Sequence, residues 1–290
     1  MNKYKSASAF LSALNERLKS KSLNEGIDIQ RLRRQVAFDR LLQRLFYRRP
    51  SPWVLKGGYA MELRTTNPRA TKDIDIVVRE TRLMSHNSDE QNSIILNELR
   101  ECANIDLGDF FLFQIEDPTM NLEAAPYGGA RFPVTVLADG RLFIRFSLDV
   151  AVGDPLIEPL DSLKGESWLS FANLPSEAIP ALSKEQQFAE KLHAYTLPRD
   201  GRINSRVKDL IDMLLLLKDH SLSPKEVKAA TEVVFNRRKT HSLPGDLLRP
   251  PDFWQEPFNR LAGECKLQMT INDGFETLTN YFKRLISEGS

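Results

Sequence analysis

The sequence keeps its two periodicities apart, and that separation limits the fold more than any other feature. Alternating, β-branched segments fall between Trp53 and Val152, whereas everything after Ser183 reads with helical spacing. Strands grouped ahead of helices predict an α+β half followed by an all-helical half. A chain of 290 residues suggests about two domains at roughly 150 residues each. Pro155, Pro159, Pro175 and Pro180 punctuate the stretch between the two patterns, so regular structure is not expected there. The predicted division is residues 1–178 and residues 179–290.

Within the first part, Phe10, Leu11, Leu14 and Leu18 recur at helical spacing, Gly26 breaks the chain, and a longer helix begins near Asp28. Pro50 and Pro52 end it. A short apolar run from Trp53 then meets Gly57-Gly58, and YAMELR resumes helical composition: strand, glycine turn, helix. Asp73–Val78 alternates as a strand, Ile94–Cys102 reads helical and Phe110–Ile115 extended. Phe132–Leu137 and Leu142–Val152 read as strands joined around Asp139-Gly140, a good hairpin pair. Ser183 and Gln186 predict a capping box for a helix through Tyr195. Further helices are expected from about Ser205 to Lys218 and after Pro224 and Asn272.

Charge and composition exclude several classes. Forty Lys and Arg against 39 Asp and Glu leave a net charge of +1, so nucleic acid or a membrane surface could be met only by a local patch. Two cysteines cannot build a disulfide framework or a cysteine zinc cluster. The N-terminus lacks a signal-peptide core, and the aliphatic run Met213–Leu217 is far short of the ~20 residues needed to cross a bilayer. A soluble, cytoplasmic protein is expected.

In Asp73-Ile74-Asp75 the strand period puts both carboxylates on one face. Asp149 alternates the same way in a later strand. Three acids from neighbouring strands suit a hard, oxygen-preferring cation such as Mg²⁺, and two such ions suit displacement at phosphorus. An isolated Asp-x-Asp is more often just a solvated strand face. Gly57-Gly58, between strand and helix, adds a turn whose bare N–H groups can hold phosphate, with 14 residues between Gly58 and Asp73.

LKGGYAMELR…TKDIDIVV resembles the Gly-Gly/Ser and Asp-x-Asp motifs of the nucleotidyltransferase superfamily. The Lys-Gly-Gly opening and long spacer look like its AbiEii/AbiGii-type toxin branch, which includes the MenT toxins. ALSKEQQFAEKLHAYT followed by NSRVKDLIDMLLLL is similar to a second signature of that branch. With Asp149, the matches run in order from Lys56 to about Lys218. The resemblance implies a mixed-sheet nucleotidyltransferase core with flanking helices and a helical C-terminal domain. It implies Mg²⁺-dependent transfer from a nucleoside triphosphate onto RNA, notably the 3′ end of tRNA, halting translation, with a cognate antitoxin as partner. Carried over by motif, Lys56, Gly57, Gly58 and Thr71 would line the triphosphate, and Asp73, Asp75 and Asp149 would bind metal, Asp149 alternatively activating the attacking hydroxyl. Many members carry a serine before the Asp-x-Asp where this chain has Ala70-Thr71-Lys72. A nucleotidyltransferase acting on an antibiotic or protein hydroxyl, or a non-catalytic nucleotide-binding module, would use the same core.

Three further groups stand out. Asp209 falls on the apolar face of its helix, about 40° from Met213, so its charge needs a partner. Lys191 is the expected one, and the resemblance points to the same two residues as catalytic, with Lys191 on the nucleotide. Asp212 and Glu190 are weaker candidates, and His193 reads as packing or surface. From Arg31 to Arg49 there are seven arginines and one acid, Asp39. On a helical wheel Arg33, Arg34, Arg40, Arg44 and Arg48 span about 120°, a stripe suited either to RNA phosphates or to plain solvation. Arg237, Arg238 and Lys239 form a smaller cluster with the same ambiguity.

Overall fold

The computed structural model describes residues 3–80, 83–85, 87–122, 125–198, 206–219 and 221–287. The chain divides into two units that interleave in sequence. One, here the sheet unit, comprises Met1–Tyr59, Ala70–Gly153 and Ser162–Ala181; the other, the helical unit, comprises Ala60–Arg69, Asp154–Asp161 and Leu182–Ser290. Two short segments that precede residue 179 in sequence therefore belong with the helices. Among the described residues no helix is long and apolar enough to cross a membrane.

The sheet unit begins with α1 (Ala7–Glu25), capped where the Ser6 hydroxyl accepts from the Ala9 N–H and stopped by Gly26 at φ 66°. Helix α2 (Ile29–Leu45) starts at Asp28, whose carboxylate accepts from the Arg31 N–H. Strand β1 (Trp53–Lys56) runs straight into α3 (Gly57–Arg64), and β2 (Asp73–Val78), α4 (Ser88–Ala103) and β3 (Phe111–Ile115) follow. A two-residue β4 (Met120–Asn121), the long hairpin β5 (Gly129–Ala138) and β6 (Arg141–Ala151), then β7 (Asp161–Leu163) and β8 (Ile179–Ala181) complete the strands. The proline-rich stretch thus holds two short strands and a 3₁₀ turn at Ser170–Ala172, where no regular structure was expected.

The sheet order is β3-β5-β6-β2-β1-β8-β7, with β4 beside β5. Strand β2 runs antiparallel to β1 and parallel to β6, while β5 and β6 are antiparallel, so the sheet is mixed. Helix α2 covers it through Phe38, which meets Phe146 of β6 and Tyr59 edge-on at ring separations of 4.8 and 5.0 Å. The hairpin turns at Asp139 and Gly140, both at positive φ (53° and 69°), the conformation a tight two-residue loop demands.

In the helical unit, α5 (Lys184–Thr196), α6 (Val207–Asp219), α7 (Pro224–Arg238), α8 (Gln255–Glu264) and α9 (Ile271–Ser287) surround an apolar core. Phe188, Leu192, Leu214, Phe258 and Phe282 lie at its centre, each at most 1% exposed. The expected start of α6, Ser205, lies outside the described residues. Ser183 caps α5 by accepting from the Gln186 N–H, but the reciprocal half of the capping box does not form. The Gln186 side chain instead donates to the Pro155 carbonyl and accepts from the Ile157 N–H, pinning the Asp154–Asp161 segment to its own unit. Arg64 ties the same segment in through Asp161 and also holds the Leu182 carbonyl.

Candidate active site

Strand register assembles the carboxylates. On β2, Ile74 and Ile76 are fully buried while Asp73 and Asp75 alternate to the opposite, partly exposed face. Asp75 sits directly opposite Asp149 on β6 and opposite Lys56 on β1, and Asp73 sits opposite Ser147. The Thr71 hydroxyl, in the place where the resemblance points to serine, donates to Asp73 Oδ1 at 3.0 Å.

The glycine turn is bound to this array by steric necessity. Gly57 adopts φ +68°, and a Cβ there would stand 2.0 Å from Asp75 Oδ2. Only glycine lets β1 turn into α3 with the Asp75 carboxylate so close. The next amide, Gly58 N–H, donates to Asp75 Oδ2 at 3.3 Å. The opening of α3 therefore faces the acids with backbone donors and the positive end of its dipole.

Sequence reasoning missed Arg131. From β5 it grips Asp149 with both arms, Nε to Oδ1 and Nη2 to Oδ2, each 2.7 Å, and Nη2 lies 3.6 Å from Asp73 Oδ2. The hydrogen bond to Asp149 is the main reason its pKa is raised above that of an ordinary guanidinium. A β-bulge explains the miss. The hairpin closes with Ala138 opposite Arg141, which in unbroken register would put Ala130 opposite Asp149. At the irregularity by Val136/Leu137, β6 carries one extra residue, Phe143, which slips the pairing by one, so Arg131 meets Asp149 and the buried side of β6 passes from Phe143 to Ile144, Phe146 and Leu148. Nothing in the composition of this strand announces the bulge.

The donor set suits magnesium in kind: carboxylate oxygens alone, with phosphate-directed N–H groups beside them. Among the described residues, however, no group of three or more His, Cys, Asp or Glu side chains stands ready to cage a metal ion. Both Asp149 oxygens accept from Arg131. Asp73 and Asp75 are the pair that fits a divalent ion, since magnesium commonly takes one or two carboxylates and completes its shell with water and phosphate.

The helical unit holds the second predicted group. Lys191 Nζ lies 3.0 Å from Asp209 Oδ1 and 2.9 Å from Asp212 Oδ2. Asp212, fully buried, is also gripped in bidentate fashion by Arg69 at 2.8 Å on each arm. Burial works against the charge on Lys191, but Asp212 and Asp209 outweigh it and hold its pKa above the ordinary lysine value. Burial likewise works against the Asp212 carboxylate, and Lys191 and Arg69 outweigh it, keeping that pKa low. The partner expected for Lys191 is thus joined by Asp212, at 0% exposure the deeper of the two.

The arginine stripe separates into two classes. Arg40 and Arg44 are each 2% exposed and share the buried Asp109, Arg40 Nε at 2.7 Å and Arg44 Nη2 at 2.6 Å. Their expected place on an RNA-facing surface is corrected by this burial, because a phosphate could reach them only by breaking these pairs. Wheel geometry failed here because Asp109, distant in sequence, draws two arginines inward. Arg33 donates to Asn15 and stacks over Phe143, with Arg34 half-buried beside it in sequence; Arg48 is exposed, with Glu101 3.8 Å away. Of the smaller cluster, Arg238 is held by Asp154 at 2.9 Å and lies 3.7 Å from Glu190. His193 is buried, accepts or donates at Thr240 Oγ1 (2.8 Å), and packs on Phe235 and His241.

Comparison with known proteins agrees with this geometry. The family described as "Nucleotidyl transferase AbiEii toxin, Type IV TA system" matches residues 40–278. Among solved structures, MenT4, a nucleotidyltransferase toxin of Mycobacterium tuberculosis, is similar over 93% of this chain and 89% of its own, with TM-score 0.62 and 16% identity. JHP933 from Helicobacter pylori covers 89% of this chain and 99% of its own at TM-score 0.43 and 15% identity. No curated protein sequence matches. The MenT4 likeness shares the fold, a mixed sheet with a helical C-terminal region. By the extent of the family match, which takes in both the carboxylate strands and the helical unit, the chain belongs to the AbiEii nucleotidyltransferase toxins of type IV toxin–antitoxin systems.

Proposed function

We propose that this nucleotidyltransferase takes its nucleotide from a magnesium-bound nucleoside triphosphate and transfers it to RNA, at the 3′ end of tRNA, so that translation stops. The observation that carries the reading is the placement of Asp75 opposite Asp149, with Asp73 on the same strand and Gly57-Gly58 against Asp75. In this reading Asp73 and Asp75 hold the magnesium ion, which when bound neutralises charge on the transferring phosphoryl group. Gly57 and Gly58, with Lys56 and Thr71, line the triphosphate. Asp149 is the third carboxylate, serving the metal or the attacking hydroxyl. Lys191, oriented by Asp209, supplies a further positive charge to the triphosphate.

Arg33, Arg34 and Arg48 support the RNA acceptor as the members of the stripe that Asp109 does not hold. A cognate antitoxin encoded beside the toxin, and a cytoplasmic setting, complete the proposal. The test supplies each labelled nucleoside triphosphate in turn, with Mg²⁺, to separate pools of tRNA, protein and aminoglycoside. Label in the tRNA pool, released by trimming its 3′ end, is the expected result. Label confined to protein or aminoglycoside would overturn the RNA assignment and leave nucleotidyl transfer standing.

A further inference from the structure

Phosphate-directed donors reach the carboxylate face from two sides. From β1, the Gly58 N–H at the opening of α3 donates to Asp75 Oδ2. From β5, Arg131 extends over β6 to Asp149 and on toward β2, where its Nη2 stands 3.6 Å from Asp73 Oδ2. The guanidinium thus lies between the acid of one strand and the acid of the next. A planar fork carries five N–H groups, and the bonds to Asp149 use one edge of it, Nε and Nη2. The Arg131 side chain is 34% exposed and the Asp149 side chain 10%, so the arginine stands on the solvent side of the carboxylate it holds. A clamp for Asp149 would need only the bonded edge.

A triphosphate that seats its outer phosphates on the glycine turn brings its α-phosphoryl group across the face toward Asp73 and Asp149. We propose that Arg131 is a further catalytic residue, the outer edge of its guanidinium donating to one non-bridging oxygen of that phosphoryl group. The inference deepens the nucleotidyl-transfer reading above and rests on it, though not on the RNA acceptor. In the transfer, the acceptor hydroxyl oxygen bonds to the α-phosphorus and its proton passes to a carboxylate of the array. The bond to the β-phosphate oxygen breaks, and pyrophosphate leaves. Negative charge on the non-bridging oxygens is met by a donor already in place, which is where such groups contribute most. Asp149 keeps it in place, because two short charge-assisted bonds along one edge hold the fork's plane and direction. The β-bulge then has a chemical consequence: unbroken register would put the uncharged Ala130 in this row.

The test compares the full-length wild type, Arg131→Gln and Arg131→Lys with Mg²⁺, on whichever acceptor pool the wild type labels. The donors are the four nucleoside triphosphates and both epimers of their α-phosphorothioates. Arg131→Gln should lower kcat roughly 10²–10³-fold with little change in KM for the triphosphate. In one epimer sulfur replaces the oxygen that Arg131 contacts, so that epimer should slow the wild type and slow Arg131→Gln no further. Arg131→Lys keeps the charge beside Asp149 but not the fork. It should fold as the wild type does and still lose most of the rate, which preserves the test if Arg131→Gln folds poorly. Calorimetric titration with pyrophosphate, which lacks the α-phosphoryl group, should give one affinity for all three proteins. An equal phosphorothioate effect in wild type and Arg131→Gln, a rate loss matched by loss of folded protein, or weaker pyrophosphate binding in Arg131→Gln would overturn the proposal and leave transfer at this face standing. No transfer to any pool and no pyrophosphate binding by the wild type would overturn that reading, and this inference with it.

Discussion

Asp73, Asp75 and Asp149 of the sheet unit share a strand face that Arg131 reaches from β5, whereas in the helical unit Lys191 lies between Asp209 and Asp212, Arg69 grips Asp212 and Arg206 stands 3.6 Å from Asp209. The first group is partly open, with Asp73 at 37% and Arg131 at 34% side-chain exposure. The second is matched and closed: Asp212 is at 0%, Asp209 at 7%, Arg69 at 9% and Lys191 at 15%. Ionised groups leave water only when their charges are answered. The difference in exposure accords with the proposal that the chemistry lies with the sheet-unit carboxylates, and it gives the closed helical group a stabilising share.

The largest effect should follow from removing a member of the open group. Asp75→Ala takes a carboxylate from a partly exposed strand face and should shift folding stability by only about 0.5 kcal/mol. It should lower nucleotide transfer by on the order of 5 kcal/mol of transition-state stabilisation, a rate loss of roughly a thousandfold or more. Transfer and thermal unfolding measured on the same preparation check both halves. Near-wild-type transfer at saturating Mg²⁺ would put the chemistry elsewhere.

In the matched group the balance should reverse. Lys191→Met keeps the length and apolar stem but leaves Asp209 and Asp212 with one fewer cation. Breaking a buried pair from one side costs ~3–5 kcal/mol, and because Arg69 still holds Asp212 the lower end is expected here. Denaturant unfolding measures it. Transfer assayed on the folded fraction then separates the two roles: a loss beyond the unfolded share is the signature of Lys191 at the triphosphate. Unchanged stability would break the contrast between the units.

How much of this was legible in the sequence follows the reach of each interaction. Gly57-Gly58, Asp73 and Asp75 were readable because turn, helix start and strand alternation are local. The pairing of Lys191 with Asp209 was readable because a helical wheel shows where a carboxylate turns inward. Arg131 was not, since its partner depends on a one-residue slip in a hairpin. The burial of Arg40 and Arg44 was not, since Asp109 reaches them across more than sixty residues of chain. Strand β8 was hidden for the same reason, being three residues long and paired with β1 through Leu55 and Ala181.

His193 extends the comparison to a buried group that gives up its charge. Burial first, then Arg238 and His241, push its pKa down to about 3. The unfolded chain therefore takes up the proton first, and this contribution to stability is lost as pH falls below about 6.5. Asp39 works the other way: burial pushes its pKa up to about 6, so the folded chain takes up that proton first and gains stability over the same descent. The wild type should thus show a shallow dependence, and His193→Asn should leave the Asp39 part together with that of His241, whose pKa burial also lowers. Between pH 6.5 and 5 the wild type should lose on the order of 2 kcal/mol relative to this variant, measured by urea unfolding at each pH. A constant difference between the two proteins would mean that His193 titrates normally.

The smallest effect belongs to the arginines, where one helix and its C-terminal extension contain both classes of group. Arg40 and Arg44 are matched by Asp109 and buried. Arg34 is half-buried, and Arg48 is 60% exposed with Glu101 no closer than 3.8 Å. If RNA phosphates meet this surface they must meet the second class. Arg34→Gln together with Arg48→Gln should flatten the salt dependence of RNA binding by roughly 0.7–0.9 in log–log slope for each phosphate no longer neutralised, with triphosphate binding unchanged. Arg44→Gln should leave the slope of the folded protein as it was and lower its melting temperature, because it leaves the buried Asp109 with Arg40 as its remaining arginine. Filter binding across a series of salt concentrations distinguishes the cases. An unaltered slope in the Arg34/Arg48 variant would return those residues to ordinary solvated charge and move the RNA contact off this helix.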